Sequence, residues 1–315
     1  MRVVFLGNAP WSVPSLEALA GSSHDVIRVI TRVARPAGRG SALRPTPVAE
    51  AARDLRLPLF EVESVKMGPG FEAIALDGFD VLCVVAYGEI LPASVLRLPG
   101  MAPVNLHFSL LPELRGATPV QWAILAGMAV TGVSTIRMDE GMDTGPVLGR
   151  AEEAIADGDD AGSLGARLAA IGGRLIVDTL DRLADGSLRE EEQDESRATY
   201  APKLRPEDRV IRWGEDMAPI LRRIRAMAPE PGAETTFRGK RLKILRATGR
   251  FLRGPPSLKS NVVPGTLLAV SGVSLAVHTS HGIVAPLEVQ PEGRRRMAVE
   301  EFVHGHRPEP GERLG

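Results

Sequence analysis

Residues Asp80 to Ala86 read D-V-L-C-V-V-A, a near-continuous apolar run with no polar face to offer to water. Such a strand has to be covered on both sides, the situation of a parallel strand between two layers of helices. The neighbouring segments fit that arrangement. Arg2 to Gly7 and His24 to Thr31 carry buried-strand patterns, and Leu57 to Phe60 reads as another strand. Val13 to Ala20, opened by Pro14, and Pro45 to Leu55 read as helices between them. Pro119 to Ala126 reads as a helix and Val130 to Met138 alternates like a strand. Gly145 to Glu152 is expected to pair beside it, and Asp160 to Asp185 carries a helical period. Alternating strands and helices predict an α/β fold with a doubly wound, mainly parallel sheet. Sheets of this kind take ligands beyond the carboxyl ends of their strands, where Tyr87-Gly88 and His107 would emerge. The first turn, Gly7-Asn8-Ala9-Pro10-Trp11, lacks G-x-G-x-x-G spacing, which disfavours a dinucleotide cofactor.

The pattern changes after residue 188. Leu188 to Ser196 is acid-rich (R-E-E-E-Q-D-E) and reads as a solvated connector. Asp216 to Met227 reads as a helix that buries Met217, Ile220, Leu221 and Ile224 and presents Arg222, Arg223 and Arg225 to solvent. From Thr235 the chain runs in short strands broken by glycine and proline: Leu242 to Arg246, Thr266 to Val270, Leu275 to His278 and Gly282 to Val289. That count predicts a small OB-like β-barrel. The expected division is a catalytic domain over 1–188, a linker over 189–206 and a second domain over 207–315. Charge divides in the same way. Residues 1–200 hold 18 Lys and Arg against 27 Asp and Glu, and residues 201–315 hold 20 against 12. A basic second part points to a polyanionic partner. The single cysteine, Cys83, excludes an internal disulfide and a cysteine-clustered metal site, and its apolar neighbours make it a core residue. No apolar run reaches the length of a membrane span or a signal peptide, so a cytoplasmic protein is expected; a monomer is expected as well.

The chemistry concentrates between Val104 and Leu148. Asn105 and His107 follow a short apolar lead-in, and a strand there puts both side chains on one face. Asp143 lies in the glycine-flanked loop Gly141 to Gly145. An amide, an imidazole and a carboxylate are the minimum set for moving an acyl group, because they can stabilise an oxyanion and handle a proton. The same residue types also occur as ordinary hydrogen-bonded groups at strand ends and turns, so spacing alone leaves both uses open. His304 and His306 resemble a two-ligand metal fragment without a third ligand and read as tail surface. No metal is expected.

The string N-x-H-x-S-L-L-P from Asn105, then R-G-A-x-P from Arg115, then M-D-x-G-x-D-T-G from Met138 resembles the folate-dependent formyltransferase family. Nearly the whole chain takes part, through R-P-A-G-R-G from Arg35, Y-A-P-K from Tyr200, P-G-A-E-T-T from Pro231, R-L-K-I-L from Arg241 and Q-P-E-G-R-R-R-M from Gln290. The resemblance implies a Rossmann-like formyl-donor domain, 10-formyltetrahydrofolate as donor substrate, and the amino group of methionine on initiator tRNA as acceptor. It makes Asn105, His107 and Asp143 the catalytic trio. It assigns folate contact to Tyr87, Gly88, Ile90 and Leu91, to Ser109, Leu110, Leu111 and Pro112, and to Asp139 and Met142. Arg39, in the loop that the resemblance brings to the acceptor end, is expected to bind tRNA together with Arg44, Arg222, Arg223, Arg294, Arg295 and Arg296. The triple arginine has a solvated turn as its equal alternative. Three positions depart from the family pattern. The first turn is G-N-A-P-W-S where G-T-P-x-F-A is usual, Glu113 replaces a basic residue, and Val33-Ala34 precedes Arg35 in place of Pro-Asp. Competing expectations are a formyltransferase acting on an amino sugar nucleotide, a formyl-folate hydrolase, and a non-catalytic RNA-binding protein.

Overall fold

The apolar run around Cys83 becomes the middle strand of a seven-stranded sheet, with every residue of Val81–Val85 buried. The computed structural model describes residues 1–37, 42–76, 78–250, 262–271 and 274–315. They fall into two compact units, one of residues 1–119, 130–154 and 165–202, the other of 120–129, 155–164 and 203–315. In chain order the elements to residue 184 are β1 (Arg2–Gly7), α1 (Val13–Ala20), β2 (Asp25–Arg32), β3 (Arg35–Ala37), β4 (Ala42–Arg44), α2 (Pro47–Asp54), β5 (Leu59–Val62), α3 (Gly68–Ala75), β6 (Val81–Val85), α4 (Ala93–Leu96), β7 (Ala102–His107), α5 (Pro119–Ala126), β8 (Val130–Arg137), β9 (Val147–Ala154) and α6 (Ala161–Ala184).

The large sheet has the order β5-β2-β1-β6-β7-β8-β9. The pairings from β5 to β7 are parallel, and β8 and β9 add on antiparallel. The result is the doubly wound, mainly parallel sheet that the alternation predicted. Strand β7 therefore has a parallel neighbour on one side and an antiparallel one on the other, with Asn105 between Val84 and Ile136. Glycines let α6 close on β7 and on α1. A Cβ on Gly172 would lie 2.4 Å from Leu106, the residue between Asn105 and His107, and one on Gly173 would lie 2.8 Å from the Pro14 carbonyl oxygen. Thr179 of α6 also shares a buried hydrogen bond of 2.8 Å with Thr135.

In the second unit, α7 (Met217–Met227) precedes β10 (Ala233–Phe237), β11 (Lys240–Arg250), β12 (Leu267–Ser271), β13 (Ser274–His278), β14 (Ile283–Pro291) and β15 (Met297–Ala298), and α8 (Val299–His306) follows. The strands run β10-β11-β14-β13-β12, with β15 on β14. Every strand pairing among them is antiparallel. The residues after α8 close the sheet: Arg313 pairs with Thr266 beside β12, and Leu314 pairs with Phe237 at the end of β10. A barrel results, as the strand count predicted. Two stretches differ from expectation. Arg35–Ala37 and Ala42–Arg44, where no strand was expected, pair as the antiparallel strands β3 and β4. The tail around His304 is helical, with Phe302 buried and stacked on His306.

Because a side chain at position 172 would be driven against β7, Gly172→Val is expected to destabilise the fold by about 1–3 kcal/mol, the usual cost of overpacking. Urea denaturation of the purified chain measures it.

Candidate active site

Asn105 is half-buried on β7, and its amide makes no hydrogen bond among the described residues. His107, two residues on and 5% exposed, is held at both ring nitrogens. Its Nε2 lies 2.9 Å from the Leu114 carbonyl oxygen, which can only accept, so Nε2 carries the proton. Its Nδ1 lies 3.5 Å from Oδ2 of Asp143. That separation is long for a hydrogen bond. Oδ2 of Asp143 also accepts from the Gly116 amide at 2.8 Å. The loop carrying Asp143 joins β8 to β9, and its base is fixed on both sides: Met138 N donates to Pro103 O of β7, and Arg137 N donates to Pro146 O. Leu114 and Asp143 both adopt left-handed backbone, at φ 58° and 55°. That conformation is uncommon for any residue with a side chain and least costly for Asp or Asn.

The three segments expected to wall the donor pocket are tied down from behind. Tyr87 and Leu91 are buried in the core cluster of Ile74, Val95 and Leu96, while Ile90 is 78% exposed. Their backbone at Gly88 and the Ile90 side chain are what this segment turns outward. Ser109 donates its hydroxyl to Glu113 O, Leu110 packs on Gly132, and Leu111 belongs to a buried cluster with Ile136 and Val147. Ser134 links to both Ser109 O and Leu111 N, and Arg150 donates to Leu111 O. Pro112 is buried and passes its carbonyl to Thr199 N. The Asp139 carboxylate caps its own loop through Gly141 N and Thr144 Oγ1, and Met142 is exposed.

A cleft of about 650 Å³ opens at the carboxyl ends of β1, β2 and β6, lined among others by Asn8, Arg32, Arg35, Arg44, Thr46 and Tyr87. Asn8 stitches those strands together. Its Oδ1 accepts from Thr31 Oγ1 and Arg32 N, and its Nδ2 donates to Tyr87 O. The atypical first turn is therefore explained by a side chain that does the work of a strand-end brace. Arg32 pairs with Glu89 at 3.5 Å and stacks over the Tyr87 ring.

The basic residues separate into two groups. Arg39 lies outside the described residues. Arg44 is exposed and stands opposite Arg35 in the β3–β4 hairpin. Arg294, Arg295 and Arg296 are exposed in the turn after β14, with Arg295 on Glu301 and Arg296 on Pro229 O and Glu230. The arginines of α7 depart from the solvent-facing expectation. Arg223 is paired with Glu215 at 2.6 Å and its side chain is 12% exposed. Arg222 donates to Leu125 O, and Arg225 to the carbonyls of Ala156, Asp157 and Asp159. These guanidiniums satisfy backbone acceptors that carry no sequence signature.

Residues around the site that the sequence did not single out come from the acid-rich segment, which is no solvated connector. Glu190 pairs with Arg137 and Glu191 with Arg150. Gln193 Nε2 donates to the carbonyls of Asp143 and Gly145 at 2.8 and 2.7 Å. Gln193 Oε1 accepts from Arg115, whose guanidinium also meets both carboxylate oxygens of Glu195. Arg115 is 1% exposed. The hydrogen bond from Arg115 holds the Glu195 carboxyl below its ordinary pKa.

An unpartnered amide beside a fixed imidazole–carboxylate pair, at the end of a doubly wound sheet, is equipment for acyl transfer. The chain belongs to the formyl transferase family: the family model described as Formyl transferase matches residues 1–180, and that described as Formyl transferase, C-terminal domain, matches residues 203–307. It is 40% identical over 315 residues to a methionyl-tRNA formyltransferase of Solibacter usitatus, covering 100% of this chain and 99% of the relative. A methionyl-tRNA formyltransferase of Methylococcus capsulatus is 41% identical over 315 residues, covering 100% of both. Within the family the chain is a member of the methionyl-tRNA formyltransferases. Among solved structures, a variant of HypX from Aquifex aeolicus superposes with a TM-score of 0.65 at 19% identity, over 99% of this chain and 48% of HypX. An N-formyltransferase from Helicobacter canadensis, solved with folinic acid and dTDP-3-aminofucose, gives 0.65 at 15% identity over 91% of this chain and 99% of its own. At those identities the likeness is one of fold.

Tyr87 supplies a test of burial at the cleft. Desolvation, with Glu89 adding to it and Arg32 opposing, pushes its phenol up to about 12. Unfolding returns the group to about 10, so between those pH values the unfolded chain loses a proton that the folded one keeps. Stability should fall by an amount on the order of 2–3 kcal/mol as pH rises through that window. Tyr87→Phe should abolish that part of the fall, as followed by denaturation and by phenolate absorbance.

Proposed function

We propose that this chain transfers the formyl group of 10-formyltetrahydrofolate to the α-amino group of methionine esterified to initiator tRNA. The observation that carries the reading is the His107–Asp143 pair, set on the same strand face as the unpaired Asn105 amide. Full-length relatives named as methionyl-tRNA formyltransferases support the acceptor. For the donor there is support in HypX, a protein of the same fold solved with tetrahydrofolic acid.

The neutral amine attacks the formyl carbon, and the carbonyl oxygen takes up the electron pair. Asn105 donates a hydrogen bond to that oxygen. Because His107 Nε2–H is already spent on Leu114, the nitrogen left to work on the proton is Nδ1. It receives the proton released by the amine, and Asp143 stabilises the imidazolium so formed. Collapse of the intermediate breaks the bond from the formyl carbon to N10 of the folate, and the proton passes to N10. The long Nδ1–Oδ2 separation leaves room for the pair to tighten with substrate present.

We take residues 1–188 as the formyl-folate-binding catalytic domain, 207–315 as the tRNA-binding domain, and 189–206 as a linker that is bonded to the first of them as far as residue 202. Phosphate contact falls to the exposed Arg44 and Arg294 to Arg296, and to Arg39, which lies outside the described residues. Arg222 and Arg223, bonded to protein groups, contribute less. The acceptor puts the reaction in the cytoplasm, and among the described residues no helix is long and apolar enough to cross a membrane.

Incubation with formyl-labelled donor and either charged initiator tRNA, an amino sugar nucleotide or no acceptor should place label on the tRNA alone. Label only on the sugar, or only as free formate, would refute the reading. Asn105→Ala should lose ~10²–10³ in turnover, the usual cost of one oxyanion donor. Arg44→Ala and Arg294→Ala should each weaken tRNA binding and flatten its salt dependence by a slope of ~0.9 per lost phosphate contact.

A further inference from the structure

We propose that Gln193 and Arg115 are positioning residues for the formyl transfer, setting the separation between His107 and Asp143. The inference rests on the reading of the site given above and adds a device that holds it in shape. The imidazole stands at the end of β7 and the acid in the loop between β8 and β9, and each is held through a residue in left-handed backbone: Leu114, whose carbonyl bonds the imidazole, and Asp143 itself. Residues held in such regions persist only where the surroundings over-determine them.

Here the surroundings are the segment from Gln193 to Ala201. Thr199 Oγ1 accepts from Leu114 N at 2.9 Å. Thr199 O accepts from Arg115 N, and Ala201 N donates to Arg115 O. The Arg115 backbone is thus fixed between Leu114, whose carbonyl accepts a hydrogen bond from His107 Nε2, and Gly116, whose amide holds the Asp143 carboxylate. Its buried side chain then reaches Gln193, which uses its two faces differently. The carbonyl oxygen of the amide accepts twice from the guanidinium, and the nitrogen donates to the backbone on either side of Thr144. One amide therefore connects the loop that orients the imidazole with the loop that presents the acid.

Gln193→Glu separates this role from simple packing. A carboxylate there keeps an acceptor for Arg115 but has no N–H for the Asp143 and Gly145 carbonyls. In the full-length chain, Gln193→Ala and Gln193→Glu should both lower kcat by ~10²-fold, the cost of a small misplacement of reacting groups. KM for donor and for charged tRNA should stay within about two-fold, the mark of an interaction felt in the transition state. Because Gln193→Glu keeps the acceptor for Arg115, it should melt higher than Gln193→Ala while its kcat stays as low. Normal kcat in Gln193→Glu, or a loss confined to KM, would overturn the inference while leaving the trio standing. Normal turnover by Asn105→Ala, measured alongside, would remove the reading of the site and this inference with it.

Discussion

A charge in the interior has to be met, and in this chain the charge is that of Arg115. Its guanidinium is 1% exposed and cannot shed its proton, so leaving it unpaired would cost far more than any single contact gains. Glu195 and Gln193 meet it with short hydrogen bonds. That requirement folds the segment after α6 back across the sheet and with it the partners of Leu114 and Asp143. The geometry of the candidate site follows from that electrostatic necessity: once the cation is enclosed, the loops on both sides have little freedom left.

The first turn shows another substitution of side chain for ligand. In dinucleotide-binding sheets the turn after the first strand is glycine-rich so that its amides can face a pyrophosphate. Here Asn8 fills that place and bonds to three neighbouring groups of the protein. The crevice beyond it is lined by Arg32, Arg35 and Arg44, so an anion entering it meets side-chain cations that stand apart from the turn.

Local pattern was readable where local pattern decides structure. The strands of the large sheet stood out because alternation or full apolarity is written into consecutive residues, and α6 because its period extends over six turns. Asn105, His107 and Asp143 were legible through their motif, and the geometry joins two of them directly. What escaped were contacts made at a distance. The acid-rich segment has the composition of a solvated connector, yet Glu190, Glu191 and Glu195 each meet an arginine more than forty residues away. The arginines of α7 lie off its apolar stripe, as a solvent-facing row would, but backbone carbonyls and Glu215 claim them. Neither kind of partner leaves a trace in spacing. The β3–β4 hairpin was hidden for another reason: three-residue strands are shorter than any period can register.

The pairing of Arg313 and Leu314 with both borders of the small barrel bears on how the protein behaves among its own copies. A β-sheet with bare margins offers a row of unpaired amides and carbonyls that another chain can extend. Here one margin is occupied at Gly265 to Leu267 and the other at Thr236 and Phe237, while Ile211 bonds to Glu234 farther along. A few residues after α8 thereby act as a selvedge, leaving less backbone for self-association in a crowded solution.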